Sequence, residues 1–398
     1  MIQQLPQNNF STKSRDFLCL LYVTVWTFAV LYAPQPLLSA IHSDYPTLSE
    51  STITLLMTVA LFPLGIGPLV YGSFLSSISA RKVLLVCVTL LSMAEFGLFY
   101  CTQFEFMLAC RLVQGLLIPA ILTCLMAYIG AHSQGAELQR AMAVYIGVSI
   151  LGGLVGRVLG GIVASVFSGW RYAFLMCSIF LLLALIPLWS MKAEAQTHFV
   201  RIRVREFWDI LRTKGMPNLL LIDCMGFFVF AALTSVLPFY MQSHWGGFAE
   251  WHIALMYLGA GVGVIIAFSA HSIQKFFGGE IRTILAGVCI YCLTMPLFLC
   301  PNVWMLFLAN CLVCAGQFAE HSTSPGLINR LSTHDKAAVN GLYLSTYYAG
   351  GALGSYLPIL VYASFGWQAF IGLLTLCLAM LLVVIIHLQR NLPKSALK

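Results

Sequence analysis

A few side chains stand out because of where they sit. Glu95, Arg111, Arg157, Asp223 and Glu320 fall inside long apolar runs, and His321 stands beside Glu320. A charge near the centre of a bilayer costs on the order of 3 kcal/mol on insertion scales, so such groups ordinarily face a wet cavity or a partner. Arg111 belongs to the run RLVQG, about 10 Å below the outer surface by helical rise, with Gln114 one turn on along the same face. Its guanidinium stays charged and can hold a carboxylate, on a solute or on a deprotonated acid. Glu320 and His321, in FAEHSTSPG, are a carboxyl and an imidazole able to load and release a proton as water access alternates. Pro325-Gly326 follow and would break the backbone there. The plainer alternative is that Glu320 reaches water at the end of its span. Asp223, some six residues into its run, suits an interfacial position as well as a cavity. Glu95, near the end of its run, is expected to snorkel. Arg157, inside a glycine-rich face, is expected to make a static tie to a neighbouring carbonyl or acid. Gln35 and the pair Tyr343 and Tyr347 complete the cavity candidates; the two tyrosines are four apart on one helix face and could stack an amphipathic ligand.

The elements that must position these groups follow from composition. Of 398 residues, 60% are hydrophobic and 9% charged, against roughly 25% charged in an ordinary soluble domain. A soluble globule could not hide that much apolar surface, which excludes a cytosolic enzyme, a disordered chain and a nucleic-acid-binding module. A polytopic α-helical membrane protein remains. Apolar runs long enough to span occur at about 17–41, 51–76, 82–102, 104–129, 139–166, 171–190, 217–241, 252–271, 283–300, 302–327, 337–363 and 367–388, twelve in all. The first is too long for a signal-peptide core and is read as an uncleaved span. With the N-terminus inside, 18 of the 21 Lys and Arg fall in inner segments, Arg171 alone in an outer loop, and Arg111 and Arg157 in spans. That bias predicts both termini in the cytoplasm, and it accounts for the net charge of +7 through the anionic inner leaflet.

The chain repeats itself. AVYIGVSILGGLVGR around Gly152 returns as GLYLSTYYAGGALGS around Gly350, so that Tyr145, Gly152, Gly153 and Gly156 recur at Tyr343, Gly350, Gly351 and Gly354. Both copies run on to Gly-Trp, at Gly169-Trp170 and Gly366-Trp367. An even number of spans repeated once gives two like-oriented halves related by an axis along the membrane normal. The expected division is an N-terminal six-helix bundle over 1–190, a polar basic linker over 191–216 and a C-terminal six-helix bundle over 217–398. Gly152, Gly156 and Gly160 share a helix face that Gly153 widens, and small residues let helix backbones approach closely. Either these faces pack statically or they form the contact on which the halves rock.

Other signals carry less. Cys289, Cys292, Cys311 and Cys314 match a zinc spacing formally, but they lie in continuous apolar helix and read as small buried hydrophobes. No metal site and no cofactor beyond a coupling proton is expected. No Walker loop, Gly-x-Ser-x-Gly elbow or His-Glu-x-x-His occurs, so neither ATP drive nor an intramembrane enzyme has a motif.

Taken in order, LYAPQPLL at 31–38, RLVQG at 111–115 with AY at 127–128, GGLVGR at 152–157 with GW at 169–170, HS at 321–322 and LYLSTYYAGG at 342–351 resemble the major facilitator superfamily over nearly the whole chain. The branch they resemble is the YnfM-type, arabinose efflux permease-like group of drug:proton antiporters. The resemblance implies an all-α membrane fold of twelve helices in two six-helix halves. Spans 1, 4, 7 and 10 would line a central cavity and spans 3, 6, 9 and 12 would face lipid. It also implies a proton-coupling role for Arg111. Arg157 stands where many antiporters have Pro. The loop between spans 2 and 3, Ser73 to Lys82, keeps the Leu and the final basic pair of the family pattern but lacks its Asp, first Arg and both glycines.

The expectation is therefore a monomeric secondary carrier in a bacterial inner membrane that exports a small organic solute in exchange for protons. Its partners would be solute, protons and lipid, with no nucleic acid. A proton symporter importing a metabolite or metal chelate is the nearest alternative, and a receptor of the same fold without net flux is another.

Overall fold

A backbone crossing hydrocarbon must satisfy its own N–H and C=O groups, which in a single chain of apolar runs leaves the helix. The computed structural model describes residues 15–74, 78–133, 135–191, 204–246 and 248–392, and among these there is no strand. The first span is α1 (Arg15–Tyr32), a 3-10 turn at Gln35–Leu37, and α2 (Leu38–Asp44). Then come α3 (Glu50–Phe74), α4 (Ala80–Tyr100), α5 (Phe104–His132), α6 (Gly135–Val166) and α7 (Arg171–Ser190). After the short α8 (Val204–Leu211) the second set is α9 (Met216–Trp245), α10 (Glu250–Met256), α11 (Ala260–Phe268), α12 (Ala270–Phe277), α13 (Glu280–Thr294), α14 (Val303–Leu331) and α15 (Lys336–Asn391). Most of the expected linker, 192–203, lies outside the described residues, as do 75–77 of the loop between the second and third spans.

Among the described residues eleven helical runs are long and apolar enough to cross a membrane, because the last two expected spans join in α15. A straight helix of 56 residues would run about 84 Å, far beyond a hydrocarbon core of about 30 Å. Gly366 divides it, with φ 79° and ψ −176°, a conformation that only Gly adopts cheaply. The indole N–H of the adjacent Trp367 donates to the Phe298 carbonyl at 2.8 Å. In the first copy of this corner the left-handed residue is Ser168, φ 53°, one position before Gly169, and the Trp170 indole donates to Asp44. The Gly-Trp repeat thus marks a corner in each half whose indole is anchored, on the Asp44 carboxylate in the first and the Phe298 carbonyl in the second.

The expected break at Pro325-Gly326 does not occur: α14 runs unbroken through both residues. The first span breaks instead, where Pro34 and Pro36 flank Gln35 and two N–H donors are lost within one turn. A second break is the 3-10 turn Tyr257–Gly259 between α10 and α11, and a third is Met295–Leu299 after α13.

Helices α1 to α7 pack chiefly on one another, as do α9 to α15; across the seam α3 meets α15, and α6 meets α10 and α11. Helix α9 is buried almost continuously from Val229 to Met241, whereas α7 exposes Ile179, Leu182, Leu183, Ile186 and Trp189. The start of α1 and the end of α15 lie at one end of the bundle, termed the terminal end, where Arg330 pairs with Glu280 and Arg81 donates to the Trp189 carbonyl. The far end carries the Arg171–Asp44 pair.

Candidate functional site

The charged side chains of the spans gather in three places. The first lies within α1 to α5. Arg111 is fully buried and its donors are taken up by protein: Nε donates to the Leu56 carbonyl at 2.6 Å, Nη1 to Val30 at 3.2 Å and to Gln114 Oε1 at 2.6 Å, and Nη2 to Leu31 at 3.0 Å. The Val30 carbonyl is available because Pro34, four residues on, has no N–H to give it. Gly115 permits the reach, since a Cβ there would come within 2.6 Å of the Ala60 carbonyl oxygen. Gln114 passes the contact on, its Nε2 donating to Glu95 Oε1 at 2.7 Å. Glu95 does not snorkel: it is 0% exposed and its second oxygen has no partner. Proximity to a buried guanidinium outweighs its nearness to the helix end, and nothing in its local run names that partner.

The second group sits on the seam. Arg157 of α6 donates from Nε to Gln35 Oε1 at 2.6 Å and from Nη1 to the Gly153 carbonyl at 3.1 Å. Gln35 in turn donates to Thr234 Oγ1 of α9 at 3.1 Å, and the Tyr257 hydroxyl donates to the Thr234 carbonyl at 2.6 Å. Pro238 leaves that carbonyl without its helical donor. The Arg157 guanidinium lies 4.1 Å from the centre of the Tyr32 ring and 5.6 Å from that of Tyr257. Gln35 and Arg157 were expected in separate roles; here they share one bond. Tyr32, Thr234 and Tyr257 were not singled out by sequence, and the prolines four residues after Thr234 and two after Tyr32 are the only local hints.

The third group belongs to α9, α14 and α15. Asp223 and Glu320 lie against each other with Ser324 beside them. Glu320 accepts from Gln317 Nε2 at 3.2 Å and from Ser324 Oγ at 3.4 Å, while both Asp223 oxygens and Gln317 Oε1 are buried without a hydrogen bond. Neither acid has a Lys or Arg partner among the described residues. Both acids are closed off, Asp223 at 0% and Glu320 at 1% exposure, so neither reaches interfacial water. Half-buried His321 stacks on Tyr347, ring centres 4.3 Å apart, and its Nδ1 meets the Tyr343 hydroxyl at 2.7 Å. Tyr347 also stacks on Phe227 at 4.2 Å.

The repeated glycines have a shared duty. A Cβ at Gly152 or Gly156 would collide with the backbone of Val25 or Ala29 in α1, and one at Gly350 or Gly354 with that of Cys224 or Phe228 in α9. Gly153 faces Tyr32 and the Arg157 guanidinium, Gly160 touches Ala33 at ordinary distance, and Gly351 meets the Phe227 ring. Gly152, Gly156, Gly350 and Gly354 therefore fix span pairs within each set of helices and do not form the contact between sets. Gly161 against Glu250 and Ala254, Gly147 against Phe268 and Gly65 against the backbone of Ser345 and Ala349 are small residues on that seam.

A cavity of about 520 Å³ opens at the far end between the two sets, lined among others by Ser39, Asp44, Arg171, Gln242 and Glu250. Ser39 is four residues beyond Gln35, which puts the floor of the cavity about one turn above the seam group.

Comparison with known proteins bears on what such a bundle does. The family model described as Major Facilitator Superfamily matches residues 17–278. The uncharacterized MFS-type transporter YybF of Bacillus subtilis is 24% identical over 382 residues, 92% of this chain and 91% of that protein. The inner membrane transport protein YnfM of Escherichia coli is 25% identical over 385 residues, covering 92% and 88%. Among solved structures, a bacterial homologue of the human lysosomal transporter Spinster, in an inward-facing and occupied conformation, superposes with TM-score 0.77 at 15% identity, covering 99% of both chains. A peptide transporter POT in complex with sulfate gives 0.79 at 10% identity, covering 97% and 96%. At these identities the structural likeness speaks for the fold.

Proposed function

Since the chain belongs to the Major Facilitator Superfamily, and is a membrane transporter of that kind, we propose that it is a secondary carrier exporting a small organic solute in exchange for protons. Its setting would be a bacterial inner membrane with the terminal end toward the cytoplasm, in keeping with the distribution of Lys and Arg. Two six-helix bundles, 1–190 and 217–398, would rock about the seam where α3 meets α15 and α6 meets α10 and α11.

One observation carries the proton coupling: Asp223 and Glu320 are buried side by side, and among the described residues no Lys or Arg pairs with either. Two carboxylates in a low-dielectric interior repel, and a proton shared between them removes one charge. Deprotonation then needs water or another acceptor, which a change of access supplies. By helical rise Asp223 is about 10 Å and Glu320 about 16 Å from the terminal end, so opening of that end would wet the pair first. His321, Tyr343 and Tyr347 separate the acids from the seam and form an aromatic wall for a solute. Arg111, Gln114 and Glu95, whose bonds all stay within the first set of helices, act in this reading as the tie that holds α1, α3, α4 and α5 together.

The test is proton movement in proteoliposomes with a trapped pH-sensitive dye, using a panel of organic anions and cations as solutes. Glu320→Gln and Asp223→Asn should abolish solute-driven proton movement while leaving solute exchange across the membrane, which needs no net deprotonation. Wild-type proton movement in both variants would remove the acids from the mechanism.

A further inference from the structure

Arg157 is an unusual residue in its surroundings. It is only 5% exposed, it lies on the seam, and no carboxylate pairs with it among the described residues. The ionisable groups around it are the phenols of Tyr32, Tyr257 and Tyr347 and the thiol of Cys314. Of its five N–H donors, Nε serves Gln35 and one on Nη1 serves the Gly153 carbonyl; Nη2 makes no hydrogen bond to the described residues. Arg111 is the instructive contrast, for both of its terminal nitrogens are taken up by protein acceptors. A nearly buried guanidinium that lies over the Tyr32 ring, has no anion and keeps a slightly accessible Nη2 without a protein acceptor is only partly compensated, and a charge so placed is costly to keep. Something that restores the balance when bound would be recognised strongly.

We propose that Arg157 is the anchor for the anionic group of the transported solute, and that the solute is an organic anion with an aromatic or flat apolar body. The claim rests on the carrier reading above and names the substrate class of that same seam. A guanidinium presents a planar fork suited to carboxylate, sulfonate or phosphate oxygens. The rings of Tyr32 and Tyr257 lie beside it, and Tyr347, stacked on Phe227 and on His321, continues the aromatic lining. Through Gln35 the same guanidinium touches Thr234 of the second set of helices. An anion drawing Arg157 toward itself would therefore loosen the bond that ties the first set to the second. Solute binding and release of the seam become one event, as a carrier requires.

The test is ligand-induced thermal stabilisation of the purified, full-length protein in detergent. Benzoate and benzenesulfonate serve as probes, and benzamide and benzyltrimethylammonium as neutral and cationic counterparts of similar shape. The two anions should raise the melting temperature at about 10 mM and the counterparts should not. Arg157→Gln should weaken anion binding about a hundredfold, and Arg157→Lys, which keeps the charge but not the fork, about tenfold. Gly130→Ala, at a position with nothing within 4 Å of an added Cβ and no part in the seam, should bind the anions as wild type does. Stabilisation by the cation alone, or an anion response that survives in both Arg157 variants, overturns the proposal. So does the lack of any anion response in wild type. If Arg157→Gln does not fold, Arg157→Lys decides, with undiminished affinity counting against the claim. Loss of proton coupling would leave these results standing, so failure of the two readings can be told apart.

Discussion

Replacing Arg111 with Met keeps much of the side-chain volume and removes every donor. Four acceptors then lose a partner: the carbonyls of Leu56, Val30 and Leu31 and the Gln114 amide oxygen. Leu56 sits mid-helix, but Val30 has no helical donor because residue 34 is proline, so it is left buried and unsatisfied at a cost of about 1–3 kcal/mol. Glu95 also loses the cation that Gln114 connects it to. Stranding one member of a buried charged group typically costs about 3–5 kcal/mol, and removal of the guanidinium's own desolvation penalty offsets part of the carbonyl loss. Arg111→Met should thus destabilise by about 3–5 kcal/mol. Glu95→Gln alone should cost less, about 1 kcal/mol, since Gln can still accept from Gln114. The double variant should recover about 1–2 kcal/mol relative to the sum of the single changes, because no acid remains to be stranded. Equilibrium unfolding of the purified variants in mixed micelles measures all three. If Arg111→Met unfolds within about 1 kcal/mol of wild type yet loses anion binding, the guanidinium serves the solute and its role as a tie is refuted.

Other consequences are open to the same unfolding assay or to transport. Gly354→Ala forces a Cβ into the Phe228 backbone and should cost about 1–3 kcal/mol; Gly130→Ala, with nothing within 4 Å, should be neutral or gain up to about 1 kcal/mol from helix propensity. Arg171→Gln breaks a 3.2 Å pair whose side chains are 28% and 49% exposed, so the change should stay below about 1 kcal/mol and shrink with added salt. Pro34→Ala returns an N–H to the Val30 carbonyl and lets the first span straighten; since that draws Gln35 away from Thr234 and Arg157, exchange should fall while stability does not, and unchanged exchange would show that the break is dispensable.

Much of the architecture is legible in the sequence for a simple reason: insertion into a bilayer is decided segment by segment. Apolar length marks each span, and the Gly-Trp corners recur where the chain turns at Ser168 and Gly366. The glycines at 152, 156, 350 and 354 betray close helix approach, because no other residue has so little to collide with. The breaks are read less well. Two prolines flanking Gln35 end a helix, yet the single Pro325 within α14 does not.

Which groups meet was beyond the sequence. Glu95 looked like a snorkelling acid until α5 brought Arg111 and Gln114 to it. Gln35 and Thr234 are 199 residues apart, and nothing in either local run names the other. Hydropathy and charge bias are sums over neighbours in the chain, so the sequence alone determines the spans and the side to which its basic residues incline. The partner of a buried charge is set by which helix faces converge, a property of the packed bundle. Only the tertiary structure could distinguish Arg111, whose terminal nitrogens are satisfied, from Arg157, which has donors to spare.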